Sequence, residues 1–180
     1  MFRSPTLAVA ALLLAILAGW PGAYTLARGI NQTPDAFLAE TFDNKPPKPG
    51  VVWLTGDLKK EVADILQHPY AKLRVKYWRE GKRSVWILDE IGKEKPITVG
   101  IVIDDGKISE LKVLAFRESR GWEVELPFFT RQFRQATLSG DNRLDKEIDG
   151  ITGATLSVRA LKKLARMALL LDRKTGAGGQ

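Results

Sequence analysis

Cysteine is absent from this 180-residue chain, and histidine occurs once, at His68. The first absence excludes disulfides, thiolate metal sites, iron–sulfur ligands and cysteine-attached haem. The second leaves too few imidazoles for a histidine-built metal site or a Ser/His triad, so His68 reads as a helix-end residue rather than a ligand. A G-x-G-x-x-G fingerprint is also missing, which argues against direct oxidation of a nicotinamide. Clustered charge is missing too. The formal net charge is +7, but cations and acids mix, as in Lys59, Lys60, Glu61 and Asp64, or Glu90, Lys93, Glu94 and Lys95. A nucleic-acid partner requires its cations on one stripe or patch, so none is expected; a solvated basic surface lying near anionic head groups is the simpler reading. Demanding chemistry in this chain would need an organic cofactor.

What is present begins with a long apolar run. Arg3 is followed by TLAVAALLLAILAGW (residues 6–20), then Pro21 and Gly22. A positive start and an apolar core are the pattern of a secretory signal, and Thr25-Leu26-Ala27 offers a mediocre cleavage site. Leu7 to Ala27 also approaches the ~20 residues that span a bilayer, so an uncleaved anchor is the other reading, and a buried core helix a third. Arg3 and Arg28 give little orientation bias. Export of the C-terminal domain is expected, with anchoring preferred over cleavage. The chain then divides into a signal peptide or membrane anchor (1–30), a linker or arm rich in proline (31–50), a folded domain (51–172) and a flexible tail (173–180).

Within the domain the patterning predicts an α+β fold, an antiparallel sheet flanked by helices. Thr33-Pro34-Asp35 resembles a helix start, giving a short helix through Thr41. Val51–Leu54 reads as a strand or buried anchor. Residues 57–67 read as a helix with Leu58, Val62, Ile65 and Leu66 on one face, stopped by His68-Pro69. Four strands follow, over 73–78, 84–91, 97–103 and 107–116, and Asp104-Asp105-Gly106 is the strongest hairpin signal. A last helix over Leu156–Leu171 carries Leu161, Leu164, Ala165, Ala168 and Leu169 as its apolar stripe. Trp78, Trp86 and Trp122 could stack a planar ligand, though filling the core is the ordinary role of such rings.

DGITGATLSV (149–158) stands immediately before that last helix. Thr155 or Ser157 could simply cap it, with Gly150 and Gly153 making the turn. Alternatively, the free N–H groups and positive dipole end of the helix form an anion site, where phosphate is a usual occupant. Gly153 and Ala154 would leave room for a phosphorylated group, and the Thr155 hydroxyl could contact it or be esterified to it. Physics alone leaves both readings standing.

The residues Asp149-Gly150-Ile151-Thr152-Gly153-Ala154-Thr155 match the D-x-x-[ST]-G-A-[ST] signature of covalent flavin-binding domains. The chain resembles the FMN-binding subunits of sodium-pumping NADH:quinone reductases and of Rnf complexes. Its length is closer to small stand-alone exported FMN-binding proteins. The resemblance implies that Thr155 carries FMN through a phosphoester, installed by a separate flavin transferase. Asp149, Gly150, Thr152, Gly153 and Ala154 would be recognition and positioning residues. Glu118-Ser119-Arg120-Gly121-Trp122 resembles the family's E-T-P-G-L-G segment near the isoalloxazine, with Arg120 in place of proline and Glu123 in place of the second glycine. Glu118 and Arg120 could equally form a surface ion pair or be ordinary loop charges. Phe133 holds a position where the family often shows an apolar residue. The resemblance covers about residues 70–170 and the N-terminal apolar segment. It implies an electron carrier, anchored in the bacterial inner membrane and facing the periplasm, working between a membrane-bound donor or acceptor and an envelope partner. The alternatives are a flavoenzyme acting directly on an exported substrate, and a non-redox envelope binding module in which Thr155 is only a cap.

Overall fold

The computed structural model describes residues 29–176, so the expected signal or anchor over 1–30 falls, apart from Gly29 and Ile30, outside the described residues. The fold is α+β. Its centre is a five-stranded antiparallel meander in the order β1-β2-β3-β4-β5: Gly50–Trp53, Arg74–Glu80, Arg83–Ile91, Pro96–Asp104 and Lys107–Phe116. The sequence predicts four of these as a run, and the Val51–Leu54 segment proves to be a fifth, at the edge, with Val52 opposite Val75. The β4–β5 turn has positive φ at both Asp105 (50°) and Gly106 (76°), the backbone that right-twisted hairpins favour.

The sheet has two unequal faces because strand residues alternate. On the inner face Trp86 and Leu88 of β3 and Val99, Ile101 and Ile103 of β4 pack against helix α2 (Gly56–Leu66) and the long C-terminal helix α4 (Thr155–Gly176). Each fully buried side chain of this kind contributes about 1.5–3 kcal/mol relative to exposure. α2 ends where Gln67 takes a left-handed conformation (φ 61°) just before His68-Pro69.

On the outer face lies α1 (Pro34–Thr41), started as its Thr-Pro-Asp signal predicts, with Thr33 Oγ1 accepting from the Ala36 N–H at 3.2 Å. The expected arm over 31–50 is therefore packed rather than free. Phe37, Leu38 and Phe42 bury against Val85, Val102 and Leu114. Gly100 makes this approach possible: a Cβ there would stand 2.4 Å from the Phe37 ring. The β5 edge is closed by residues just before α1, with the Phe116 N–H donating to Gly29 O at 2.7 Å and Ile30 bridging Ala115. At the other end of the chain, α4 continues to Gly176, past the expected start of a loose tail at 173. Thr175 Oγ1 donates to Leu171 O at 2.8 Å and Lys174 pairs with Glu61 at 2.8 Å, which hold the last turn in place.

Between β5 and α4 the chain makes short turns, among them α3 (Pro127–Thr130), and then an irregular stretch anchored in the core by Phe129, Phe133, Ala136 and Ile148. That stretch delivers residues 149–154 to the start of α4.

Candidate functional site

Gly153 is the pivot of the turn into α4. Its φ is +85°, and an Ala154 N–H to Ile151 O bond of 3.0 Å closes the turn. Val158 N–H donates to Ala154 O at 2.9 Å, the first bond of the helix. The capping position is thus held by Ala154, which has no side-chain acceptor, and Thr155 is already inside the helix. Among the described residues no side-chain oxygen satisfies the N–H groups of Thr155, Leu156 or Ser157. Neither Thr155 nor Ser157 is a helix cap here, and the first turn keeps its donors and its positive dipole end for something else. Thr155 is exposed, whereas Ala154 and Ser157 are buried.

What Ser157 and Ala154 are buried against is the second sequence-marked segment. Gly121 has φ +84°, and a Cβ there would meet Ser157 Oγ at 2.9 Å and Ala154 Cβ at 3.3 Å. Both the left-handed backbone and the close approach call for glycine. Glu118, Ser119 and Arg120 then form one wall of a cleft of about 590 Å³, and Gly153, Ala154, Thr155, Leu156 and Ser157 form the other. Lys93 and Glu94, from the β3–β4 turn, close it.

Glu118 holds that third wall in place. Its Oε1 accepts from the backbone N–H groups of Lys93, Glu94 and Lys95 at 2.5, 2.7 and 2.9 Å. Desolvation works to raise its pKa, but the three donors outweigh it and hold the carboxyl below the usual carboxylate range. Glu118 and Arg120 are therefore not an ion pair: the carboxylate is committed to the turn, and Arg120 has no carboxylate partner among the described residues.

The remaining marked residues separate cleanly. Asp149, Gly150 and Thr152 are exposed on the approach to the turn, outside the cleft wall, with the Asp149 N–H donating to Gln132 Oε1 at 2.7 Å. Phe133 is wholly buried, edge-on to Phe129 at 5.6 Å, and belongs to the core. Trp86 is core too, stacked on Tyr77 at 5.0 Å, and Trp78 sits half-buried on the outer face beside α1. Trp122 is 54% exposed just after Gly121. His68 bonds to Glu90 Oε1 through Nε2 at 2.8 Å. Sequence reasoning missed Lys93, Glu94, Leu156 and Ser157 as cleft residues. Lys93 and Glu94 read locally as mixed surface charge, and only the long-range bond to Glu118 brings them to the cleft. A separate, mainly apolar cleft of about 590 Å³ beside β1 and β2, lined by Trp53, Leu73 and Trp78 among others, contains Trp78 but none of the residues of the two motif segments.

The cleft suits a phosphorylated cofactor on its own terms. Its volume falls in the ~300–1,000 Å³ typical of cofactor sites. Uncapped helix donors and Arg120 supply positive charge for phosphate, Lys93 is paired with Glu94 at 3.3 Å, and the Thr155 hydroxyl stands in the wall.

Comparison with known proteins bears on this region directly. Residues 92–170 match the model of the FMN-binding domain family, a span that opens at the turn Glu118 clamps and closes within α4. Among solved structures, a subunit of the Na(+)-translocating NADH-quinone reductase of Parabacteroides distasonis is similar, at 19% identity and a TM-score of 0.48, over 80% of this chain and 87% of that one. A search of curated proteins returned no match. The family match, confined to residues 92–170, takes in every residue that lines the cleft.

Proposed function

We propose that the protein is an exported, membrane-anchored flavoprotein that carries FMN covalently on Thr155 and passes electrons between a membrane reductase and an envelope acceptor. The observation that carries this reading is the start of α4: an exposed Thr155 hydroxyl and uncapped N–H donors in the wall of a cleft within the FMN-binding region. The net change to the chain is that of a condensation. A bond forms between Thr155 Oγ1 and the FMN phosphorus of a flavin dinucleotide donor, and the donor's phosphoanhydride bond breaks. The nucleoside monophosphate leaves as the threonine gives up its proton, so the chain gains FMN less the elements of water, with a separate flavin transferase as catalyst. Asp149, Gly150 and Thr152, exposed on the approach to the helix, are accessible to such an enzyme. FMN when bound supplies one- and two-electron chemistry, and the protein supplies position and tuning.

The chain's own residues do the rest. The N–H groups at the start of α4 bind the phosphate end. Arg120, which has no carboxylate partner among the described residues, places positive charge in the cleft, whereas Lys93 is paired with Glu94 at 3.3 Å. Ser119 and the Gly121 approach complete the wall. Absence of a dinucleotide fingerprint favours a carrier over an NADH oxidase. No helix among the described residues is long and apolar enough to cross a membrane, so the proposed anchor rests on the apolar sequence 6–20.

The deciding experiment is the intact mass of the full chain expressed with a flavin transferase. FMN joined with loss of water adds about 438 Da. Thr155→Val is expected to lose the whole increment while keeping its fold, and Thr155→Ser to retain part of it. A Thr155→Val protein that still carries the increment would place the linkage elsewhere.

A further inference from the structure

Thr155 borders a second concavity. A groove of about 550 Å³ runs between α2 and α4, walled by Ile65 and Gln67 on one side and by Thr155, Val158 and a row of cations on the other. The cations are Arg159, Lys162, Lys163 and Arg166. Their spacing places them on one face of α4, and from Thr155 to Arg166 the row extends about 16 Å at the rise of an α-helix.

This positive charge is poorly compensated. Lys163 lies 3.6 Å from the buried Glu90 carboxylate, which His68 shares. Lys162 and Arg166 donate to backbone carbonyls, Ile148 O at 3.1 Å and Asn142 O at 2.6 Å, not to carboxylates. Among the described residues Arg159 has no acidic partner either, and Asp141, whose charge acts on Arg166, is paired with Arg143 at 3.1 Å. Desolvation first, and then the Arg143 charge, hold Arg166 below the ordinary arginine pKa, so an incoming anion would relieve the cluster.

We infer that the groove between α2 and α4 is a docking surface for a carboxylate-bearing segment of the protein that exchanges electrons with this one. The chemistry of the row selects such a segment. It is too long for one phosphate, its i, i+3, i+4 and i+7 spacing complements an acidic helix or extended strand, and its concavity does not fit a flat bilayer. Its position matters as much, because the groove and the flavin cleft share Thr155 as a common wall. A partner seated there lies beside the attachment point. The electron-transfer meaning of the contact rests on the proposed function, whereas the contact itself does not require flavin.

The two are separable by experiment. Binding of a short polyglutamate peptide is measured by titration on the full chain in neutral detergent, in the Thr155→Val background, while intact mass of the parent reports the flavin reading. Arg159→Glu with Lys162→Glu is expected to weaken the peptide at least ~10-fold at low salt. Arg131→Glu with Arg134→Glu, the same charge change on another surface, is expected to alter it less than threefold. Arg159→Gln, at an exposed position, gives the same direction with little risk to the fold. Equal weakening by the two charge-reversed pairs would reduce the effect to net charge and overturn the proposal. So would displacement of the peptide by an equal charge concentration of inorganic phosphate. Preference of the α4 cations for micelles doped with phosphatidylglycerol would overturn it in favour of a membrane contact.

Discussion

The two ends of α4 follow opposite rules. At its C-terminal end Asp172 is 6% exposed and accepts from Ser84 Oγ at 2.5 Å and from Arg79 at 2.6 Å, while Trp86 Nε1 donates to Ser84 Oγ at 2.9 Å. Four residues of three elements, β2, β3 and α4, are locked through one carboxylate. At its N-terminal end Ala154 caps nothing, Thr155 is exposed, and the donors of the first turn lack side-chain partners among the described residues. A helix fixed at one end can leave the other unsatisfied, because the apolar stripe and the Asp172 network already determine where its first turn stands. The unsatisfied end is then available to a ligand without loss of the fold.

That contrast predicts the largest effect far from the cleft. Asp172→Ala leaves the Arg79 charge without its carboxylate and the Ser84 hydroxyl proton without its acceptor, so it is expected to cost about 3–5 kcal/mol in denaturant unfolding. Protein that remains folded should still accept the full flavin mass. Asp172→Asn, which keeps an acceptor oxygen, should lose less. An Asp172→Ala protein of parental stability would dissolve the contrast between the two ends.

The middle-sized effect lies where the second segment meets the first turn. Gly121→Ala forces a side chain into a left-handed backbone and against Ser157 Oγ at 2.9 Å, so it is expected to cost roughly 1–2 kcal/mol and to reduce flavin labelling. Gly150→Ala is the matched control. It has no positive φ, and nothing lies within 4 Å of the added methyl, so stability should stay within ~0.5 kcal/mol. Any change in its labelling then reports recognition by the transferase alone. If both variants lose stability equally, Gly121 is not the contact that brings the two segments together.

Much of this architecture is legible in the sequence, and the illegible part has a physical pattern. The strands, the Asp105-Gly106 turn and the helices announce themselves through alternation, periodicity and start signals, all of which are local. Thr155 and its neighbours are legible as a motif, and Gly121 as part of a weaker one. The clamp on residues 93–95 is not legible, because a carboxylate gathering three backbone N–H groups from another turn leaves no mark on either segment. The packing of α1 is hidden for a similar reason: a proline-rich stretch reads as a linker, and the cavity over Gly100 that receives Phe37 exists only once β4 is in the sheet. Lys162, Lys163 and Arg166 read in the sequence as the wet side of the last helix, but the groove they line is not legible, because its facing wall, Ile65 and Gln67, comes from another helix.

The smallest expected effect concerns the lone histidine, and it tests whether the α2–α4 side is held by charge as the far end of α4 is. His68 Nε2 and Lys163 Nζ share Glu90 Oε1, at 2.8 and 3.6 Å, joining the end of α2, α4 and β3. The hydrogen bond to Glu90 first, and then the Pro69 carbonyl, raise the His68 pKa above its ordinary value, against desolvation and the Lys163 charge. A group whose pKa is raised on folding stabilises the fold below its unfolded pKa, about 6.5, and that contribution is lost as pH climbs through the folded value. Stability should therefore fall from mildly acidic to mildly alkaline pH. Because the imidazole is 42% exposed, solvent screening keeps the change below about 1 kcal/mol. His68→Gln should flatten this part of the profile while leaving the alkaline limit nearly unchanged. A parental slope that survives His68→Gln would assign the pH dependence to other groups and leave the Asp172 network as the charged lock on α4.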